Sequence, residues 1–86
     1  MLAQVVNEME YRGQEPMSFN GDDGRQVNMT LYRFEDVTGM QNNFYVMDPT
    51  KIEGLADLQR GSMYTLFLNI GAKNKVYLNS VQKIER

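Results

Sequence analysis

The chain has 86 residues, of which 42% are hydrophobic, and a formal net charge of −2 at pH 7, which predicts a single domain over residues 1–86. It contains no cysteine and no histidine, which excludes disulfides, thiolate metal sites and a thiol nucleophile, and removes the usual general base and commonest metal ligand. No apolar run approaches the roughly 20 residues of a membrane-spanning helix, and the first residues lack the features of a secretion signal, so we expect a cytoplasmic protein that contacts no membrane.

The first quarter of the chain predicts a strand, an extended arm and a turn. Residues 3–11 alternate apolar and polar side chains, as a first strand does. A glycine and a proline then interrupt the pattern, and residues 17–19 can resume it as an extended arm. Residues 20–24 have the sequence Asn-Gly-Asp-Asp-Gly, which is dense in turn formers. We therefore expect the tip of a hairpin at residues 20–24.

Residues 25–36 form the clearest strand of the sequence. One set of alternating residues is aliphatic and is expected to face the core, namely Val27, Met29 and Leu31. The opposite set includes Tyr32 and Phe34, which this assignment places on the outer face. After a turn at residues 37–40, residues 41–47 return as a third strand, and we expect its Phe44 or Tyr45 to extend the aromatic face.

Residues 48–59 predict one short helix. Asp48 is a suitable N-cap, and Pro49 suits the first helical position. Apolar residues then recur at a spacing of three, at Ile52, Leu55 and Leu58. Gly54 weakens this helix without removing the pattern.

The remaining residues predict a final hairpin, with strands over residues 62–69 and 76–85. Three meandering strands, a short helix and a hairpin are the arrangement of an OB barrel. We therefore expect an all-β fold, a five-stranded Greek-key OB-type barrel with one short helix between strands 3 and 4. Leu31 and Leu66 are expected to be buried. The main alternative is an SH3-like barrel, which usually lacks a helix at that point.

Aromatic and basic side chains fall where OB barrels bind oligonucleotides, across strands 2 and 3 and beside the loops that join strands 1–2 and 4–5. Bases stack on exposed aromatic rings, while Lys and Arg contact phosphates. The predicted nucleic-acid-binding residues are Arg12, Arg25, Tyr32, Phe34, Phe44, Tyr45, Lys73 and Lys75. Residues 1–57 carry a charge of −6 and residues 58–86 a charge of +4, so a basic face is compatible with the acidic total.

Other interpretations of the same residues remain open. Strand aromatics are more often core or interface residues than base platforms, and lysines in turns are often only solubilising. The acidic total and the seven methionines also suit a protein–protein interaction module or assembly adaptor on an OB or SH3-like barrel. A weaker alternative is an oligosaccharide ligand. No serine has a histidine partner, so we expect neither an enzyme nor a cofactor.

Two stretches of the chain resemble a known family. Gly24-Arg25-Gln26-Val27 leaves a glycine-rich tip, and Arg60-Gly61-Ser62-Met63-Tyr64-Thr65-Leu66 precedes Lys75-Val76-Tyr77-Leu78. This layout resembles the small single-stranded DNA-binding proteins of phages and mobile elements, typified by the filamentous-phage replication protein. The resemblance implies an OB barrel, binding of single-stranded DNA in DNA replication with RNA as an alternative ligand, and a homodimer. Met63 and Phe67 could lie on an outer face in such a dimer.

Overall fold

A computed structural model describes residues 2–71 and 75–84 and shows an all-β chain. The strands are β1 (Leu2–Asn20), β2 (Gln26–Glu35), β3 (Gln41–Val46), β4 (Met63–Ile70) and β5 (Val76–Lys83). They form one antiparallel sheet in the order β3-β2-β1-β4-β5. The predicted all-β class is confirmed. Within the described ranges no ladder joins the edge strands β3 and β5, so the sheet is not closed.

β1 is 19 residues long and changes its partner near the middle. Residues 2–10 pair with β4, and residues 10–20 pair with β2. The β4 ladder shifts register twice, between Leu2 and Gln4 and between Val6 and Met9, and the β2 ladder shifts register between Tyr11 and Gly13. Because such irregularities bend a strand and increase its twist, β1 can pair with β4 along its first half and with β2 along its second half.

The hydrophobic core lies on the concave side of this bent sheet. Its buried members are Met9, Tyr11, Tyr32, Phe34, Val46, Leu55, Tyr64, Leu66, Leu68, Leu78 and Val81. The ring centroids of Tyr11 and Phe34 are 5.6 Å apart, and Phe44 meets Phe34 edge-on at 6.1 Å. Leu66 is fully buried, as predicted. The aromatic rings of β1, β2 and β3 therefore form the centre of the core.

β2 faces the core with the side opposite to the one that we predicted. Tyr32 is 2% exposed and Phe34 is 0% exposed, and both belong to the core. The alternating set at Val27, Met29 and Leu31 lies on the outer face, although Leu31 is buried there, as predicted. The alternation itself is correct. Because both faces of this strand are apolar, the period of two does not distinguish the inner face from the outer one.

The predicted short helix between β3 and β4 is wrong. The segment contains two 3-10 turns, Pro49–Lys51 and Leu55–Asp57, and no α-helix. Asp48 does cap the first turn, because its carboxylate accepts the backbone N–H two residues further on at 3.1 Å. Between the turns the backbone extends, and the Glu53 carbonyl accepts the Val81 N–H of β5 at 2.9 Å. The segment therefore bonds to the edge of the sheet instead of continuing a helix.

Residues 16–30, which we call the hairpin arm, extend beyond the core. No residue of this segment is buried. At its tip the Gly21 N–H donates to the Arg25 carbonyl at 2.7 Å, so the predicted turn at residues 20–24 is confirmed. The described part of the chain measures 46 × 26 × 24 Å, and this long axis is consistent with an arm that projects from a smaller body.

The turn between β2 and β3 is held by one carboxylate. Asp36 Oδ1 accepts the Thr38 hydroxyl at 2.6 Å, the Thr38 N–H at 2.9 Å and the Met40 N–H at 3.0 Å. The bond from the Thr38 side chain, followed by the bond from the Met40 backbone, lowers the pKa of Asp36 below its ordinary value.

We expect Asp36→Ala to destabilise the fold at pH 7 and to have a smaller effect in acid. A carboxylate with a lowered folded-state pKa stabilises the fold fully above its unfolded pKa, and this contribution is lost as the pH falls through the folded pKa. The difference in urea midpoint between Asp36→Ala and the wild type should therefore narrow below about pH 4. A difference that is the same at pH 7 and at pH 3 would contradict this role.

Gly54 and Gly61 form a matched pair that tests the contact between Glu53 and β5. Their φ angles are +87° and +88°, but a Cβ at Gly54 would lie 2.0 Å from the Val81 carbonyl oxygen, whereas one at Gly61 would meet nothing within 4 Å. Gly61→Ala should cost only the left-handed backbone strain, about 1–2 kcal/mol. Gly54→Ala should lower the free energy of unfolding by clearly more than Gly61→Ala does, and urea unfolding of both variants measures the difference. Equal losses would show that this close approach is not required.

Candidate nucleic-acid interface

The convex face of β1, β2 and β3 carries a continuous row of apolar side chains, which we call the outer strip. Alternate residues of a strand share one face, and the ladders align them across neighbouring strands. The aligned pairs of the outer strip are Met17 with Met29, Phe19 with Val27, and Leu31 with Tyr45. The outer strip therefore runs from Tyr45, near the end of β3, along most of the hairpin arm.

Two aromatic rings of the outer strip are open to solvent. Tyr45 is 57% exposed and Phe19 is 45% exposed. Their partners on β2, Leu31 and Val27, are four residues apart, which corresponds to about 13 Å along a strand. An exposed ring is the surface on which an unpaired base stacks. The two rings are therefore separate exposed aromatic surfaces on one face of the sheet.

The hairpin arm has a polar face opposite the outer strip. The Ser18 hydroxyl donates to Asn28 Oδ1 across the arm at 2.7 Å, and Asn20 pairs with Gln26 in the next position of that face. The arm therefore has one apolar side and one polar side, and no residue on either side is buried.

The structure changes the predicted aromatic set. Tyr32 and Phe34 belong to the core, so the prediction that they face outward is wrong, and burial raises the pKa of the Tyr32 hydroxyl. Phe44 is half-buried and packs against the core. Tyr45 is exposed as predicted, whereas Phe19 was not predicted. The sequence feature that indicates the exposure of Phe19 is its position next to the turn at residues 20–24, where few residues remain that could cover its ring.

The predicted Arg25 and the unpredicted Arg33 each contact a carboxylate beside the outer strip. Arg33 Nη2 is hydrogen-bonded to Glu15 Oε1, and Glu15 pairs with Leu31 of the outer strip in the β1–β2 ladder. At the tip of the hairpin arm, Arg25 Nε lies 3.5 Å from Asp23 Oδ2. Each of these two cations is therefore matched by a carboxylate.

Arg12 lies at the bulge of β1, not in the loop between β1 and β2 where we expected it. Its Nη1 contacts Glu10 at 2.6 Å and its Nε lies 3.5 Å from Glu35. The hydrogen bond and the charge of Glu10 raise the pKa of the guanidinium. This cluster of one cation and two carboxylates lies at the inner end of the convex face.

The two predicted lysines fall in the β4–β5 hairpin. Lys73 lies outside the described residues, and Lys75 is exposed. Its neighbour Val76 lines a cleft of about 310 Å³ together with Asn43 and Phe44 of β3, and the inward-facing side chains of β1 and β4 form the rest of its wall. The cleft therefore brings the base of this hairpin close to the predicted aromatic strand.

No protein family model, no curated protein and no solved structure matches this chain. Among the residues that the structure describes, no group of three or more acidic side chains is arranged to hold a metal ion. No helix in those residues is both long and apolar enough to span a bilayer. The geometry of the outer strip is therefore the main basis for a functional proposal.

Tyr32 and Tyr45 test the assignment of the two faces. Tyr32→Ala should lower the free energy of unfolding by about 3–5 kcal/mol, as truncations of buried aromatic residues do. Tyr45→Ala, on the neighbouring strand, should change it by less than about 0.5 kcal/mol because its ring is exposed. Urea unfolding of both variants measures the difference. A large loss of unfolding free energy for Tyr45→Ala together with a small loss for Tyr32→Ala would show that the inner and outer faces are assigned the wrong way round.

Proposed function

We propose that this chain is a non-catalytic protein that binds single-stranded DNA with little sequence preference. The observation that carries the proposal is the pair of exposed rings, Tyr45 and Phe19, on one continuous apolar face. Base–aromatic stacking contributes about 1–3 kcal/mol per base and tolerates any sequence, because every base has a flat face. Duplex bases are already stacked, so this surface favours unpaired strands.

The strand order supports an OB-type barrel as the underlying fold. The OB fold is a five-stranded, partly open Greek-key barrel that binds oligonucleotides on strands 2 and 3 between two loops. β1 is shared by β2 and β4, which leaves β3 and β5 as the two strands that would meet at the seam. Val76 and Phe44 line the cleft at that seam. The outer strip then lies on the face that this fold uses.

Positive charge on the hairpin arm, at its base and in the β4–β5 hairpin supports contacts with phosphates. Lys75 is exposed beside the seam, and no ion pair holds it among the residues that the structure describes. The surface ion pairs of Arg33 and Arg25 are worth about 0–1 kcal/mol each, so a phosphate can replace the carboxylate at modest cost.

A protein-interaction module is the second candidate, and a specific observation favours it. The carboxylates beside the outer strip compensate its arginines, so that the surface is apolar with no excess of positive charge. Exposed apolar patches with polar rims are typical of protein contacts. The homodimer and an RNA ligand stay predictions. Met63 and Phe67 alternate onto the convex face of β4, where both are half-buried.

The proposal is tested by fluorescence anisotropy with a labelled oligothymidine and a duplex of the same length. Tyr45→Ala and Phe19→Ala should each weaken binding of the single strand by about 1–3 kcal/mol. Both losses should persist at high salt, because stacking involves no counterion release.

Val37→Ala is the matched control, because Val37 is an exposed apolar residue in the β2–β3 turn and lies outside the outer strip. This variant should bind like the wild type. If the wild type shows no binding to oligothymidine at low salt, where phosphate attraction is strongest, single-stranded DNA is rejected as the ligand and the protein-interaction candidate replaces it.

A further inference from the structure

We infer that the acidic residues of the convex face compete with DNA phosphates for the arginines of the binding site, so that binding depends mainly on stacking and only weakly on salt. This inference rests on the proposed function and specifies which contacts supply the affinity of that site. It concerns the balance between base stacking and phosphate contacts rather than the identity of the ligand.

Every arginine in β1, β2 and the turn between them has a carboxylate partner. These arginines are Arg12, Arg25 and Arg33, and their partners are Glu10 with Glu35, Asp23, and Glu15. Three cations are thus matched by four carboxylates on the surface that carries the outer strip. The hairpin arm and its base therefore present no net positive charge to a nucleic acid.

This pairing changes the physical origin of the affinity. A free arginine that binds a phosphate releases condensed counterions, and each such contact adds about 0.7 to the slope of log K against log salt for a single strand. An arginine that is already paired must first give up its carboxylate, which then repels the same phosphate. Stacking on Tyr45 and Phe19 does not have this cost. A shallow salt dependence follows.

The pair of Glu15 and Arg33 is the most direct place to test the competition. Glu15 pairs with Leu31 in the outer strip, and Leu31 is also the partner of the exposed Tyr45. A strand that stacks on Tyr45 therefore brings its phosphates close to this ion pair. Glu15→Gln keeps the size and an acceptor oxygen of the side chain but removes the competing charge.

The experiment measures anisotropy of labelled oligothymidine over a series of salt concentrations. Glu15→Gln should bind about two- to fivefold more tightly than the wild type at low salt, as expected for the release of one surface ion pair. Its salt slope should be steeper by about 0.7, and the gain should vanish at high salt. In the double variant Glu15→Gln/Arg33→Gln the gain should be lost, because it requires the freed guanidinium.

Asp57→Asn is the matched control. It removes the same charge from an exposed residue in the second 3-10 turn, away from the outer strip. This control should leave affinity and slope unchanged. An equal gain for Asp57→Asn, or no gain for Glu15→Gln, would overturn the inference and leave the proposed function intact. A wild type that fails to bind oligothymidine at low salt would instead reject the proposed function.

A second variant covers the case in which Glu15→Gln fails to fold. Asp23→Asn releases Arg25 at the exposed tip and keeps an oxygen that can accept the Arg25 N–H, which Asp23 Oδ1 accepts at 3.0 Å. It should give the same tighter binding at low salt and the same steeper slope. Failure of this variant to change either quantity would overturn the inference.

Discussion

The bend of β1 is the constraint on which the rest of the structure depends. At the bulge between Tyr11 and Gly13, Gly13 has a φ of +131°, and a Cβ there would lie 2.6 Å from Arg60 Nη2. Beside this bulge the Tyr11 N–H donates to the Ser62 carbonyl at 3.0 Å, while the Gly61 N–H donates to the Tyr11 carbonyl at 3.0 Å. The start of β4 is therefore fixed to β1 at the point where β1 turns toward β2.

The same bend determines where a ligand can bind. Before the bulge β1 contributes Met9 to the core, and after it the strand continues into an arm in which no residue is buried. Apolar side chains in the arm are thus exposed because the core ends, and not because the sequence becomes polar. Phe19 and Tyr45 share one face as a result, although they belong to strands that are not neighbours.

The sequence predicted four of the strands and the arm tip because these depend on local alternation and turn residues. It interrupted the first strand after residue 11, at Gly13 and Pro16, whereas β1 continues through both residues to Asn20 because its ladder with β2 holds that part of the chain extended. It did not predict which face of β2 is buried, since Tyr32 and Leu31 are both apolar and only the contacts of the whole sheet distinguish them. The prediction of a helix at residues 48–59 was wrong for a related reason. The cap at Asp48 is real, but the bond from Val81 to Glu53 joins residues that are distant in sequence.

Only part of the candidate site could be predicted from local sequence patterns. Tyr45 and Lys75 were predicted and are exposed, whereas Phe19 was assigned to an extended arm and was not considered as a binding residue. The ion pair between Glu15 and Arg33 depends on the register of the β1–β2 ladder. A prediction from single residues counts Arg33 as a cation and Glu15 as an anion, but it does not show that they neutralise each other.

The hairpin arm also has a consequence for motion. Two strands without a covering layer are marginally stable alone, so the arm can open locally while the core remains folded. Its amide protons should then exchange with solvent through these openings, faster than those of β4 near the fully buried Leu66. A ligand that lies along the outer strip would order the arm and slow this exchange. Protection from exchange would thus report occupancy in a segment that contributes little to the stability of the fold.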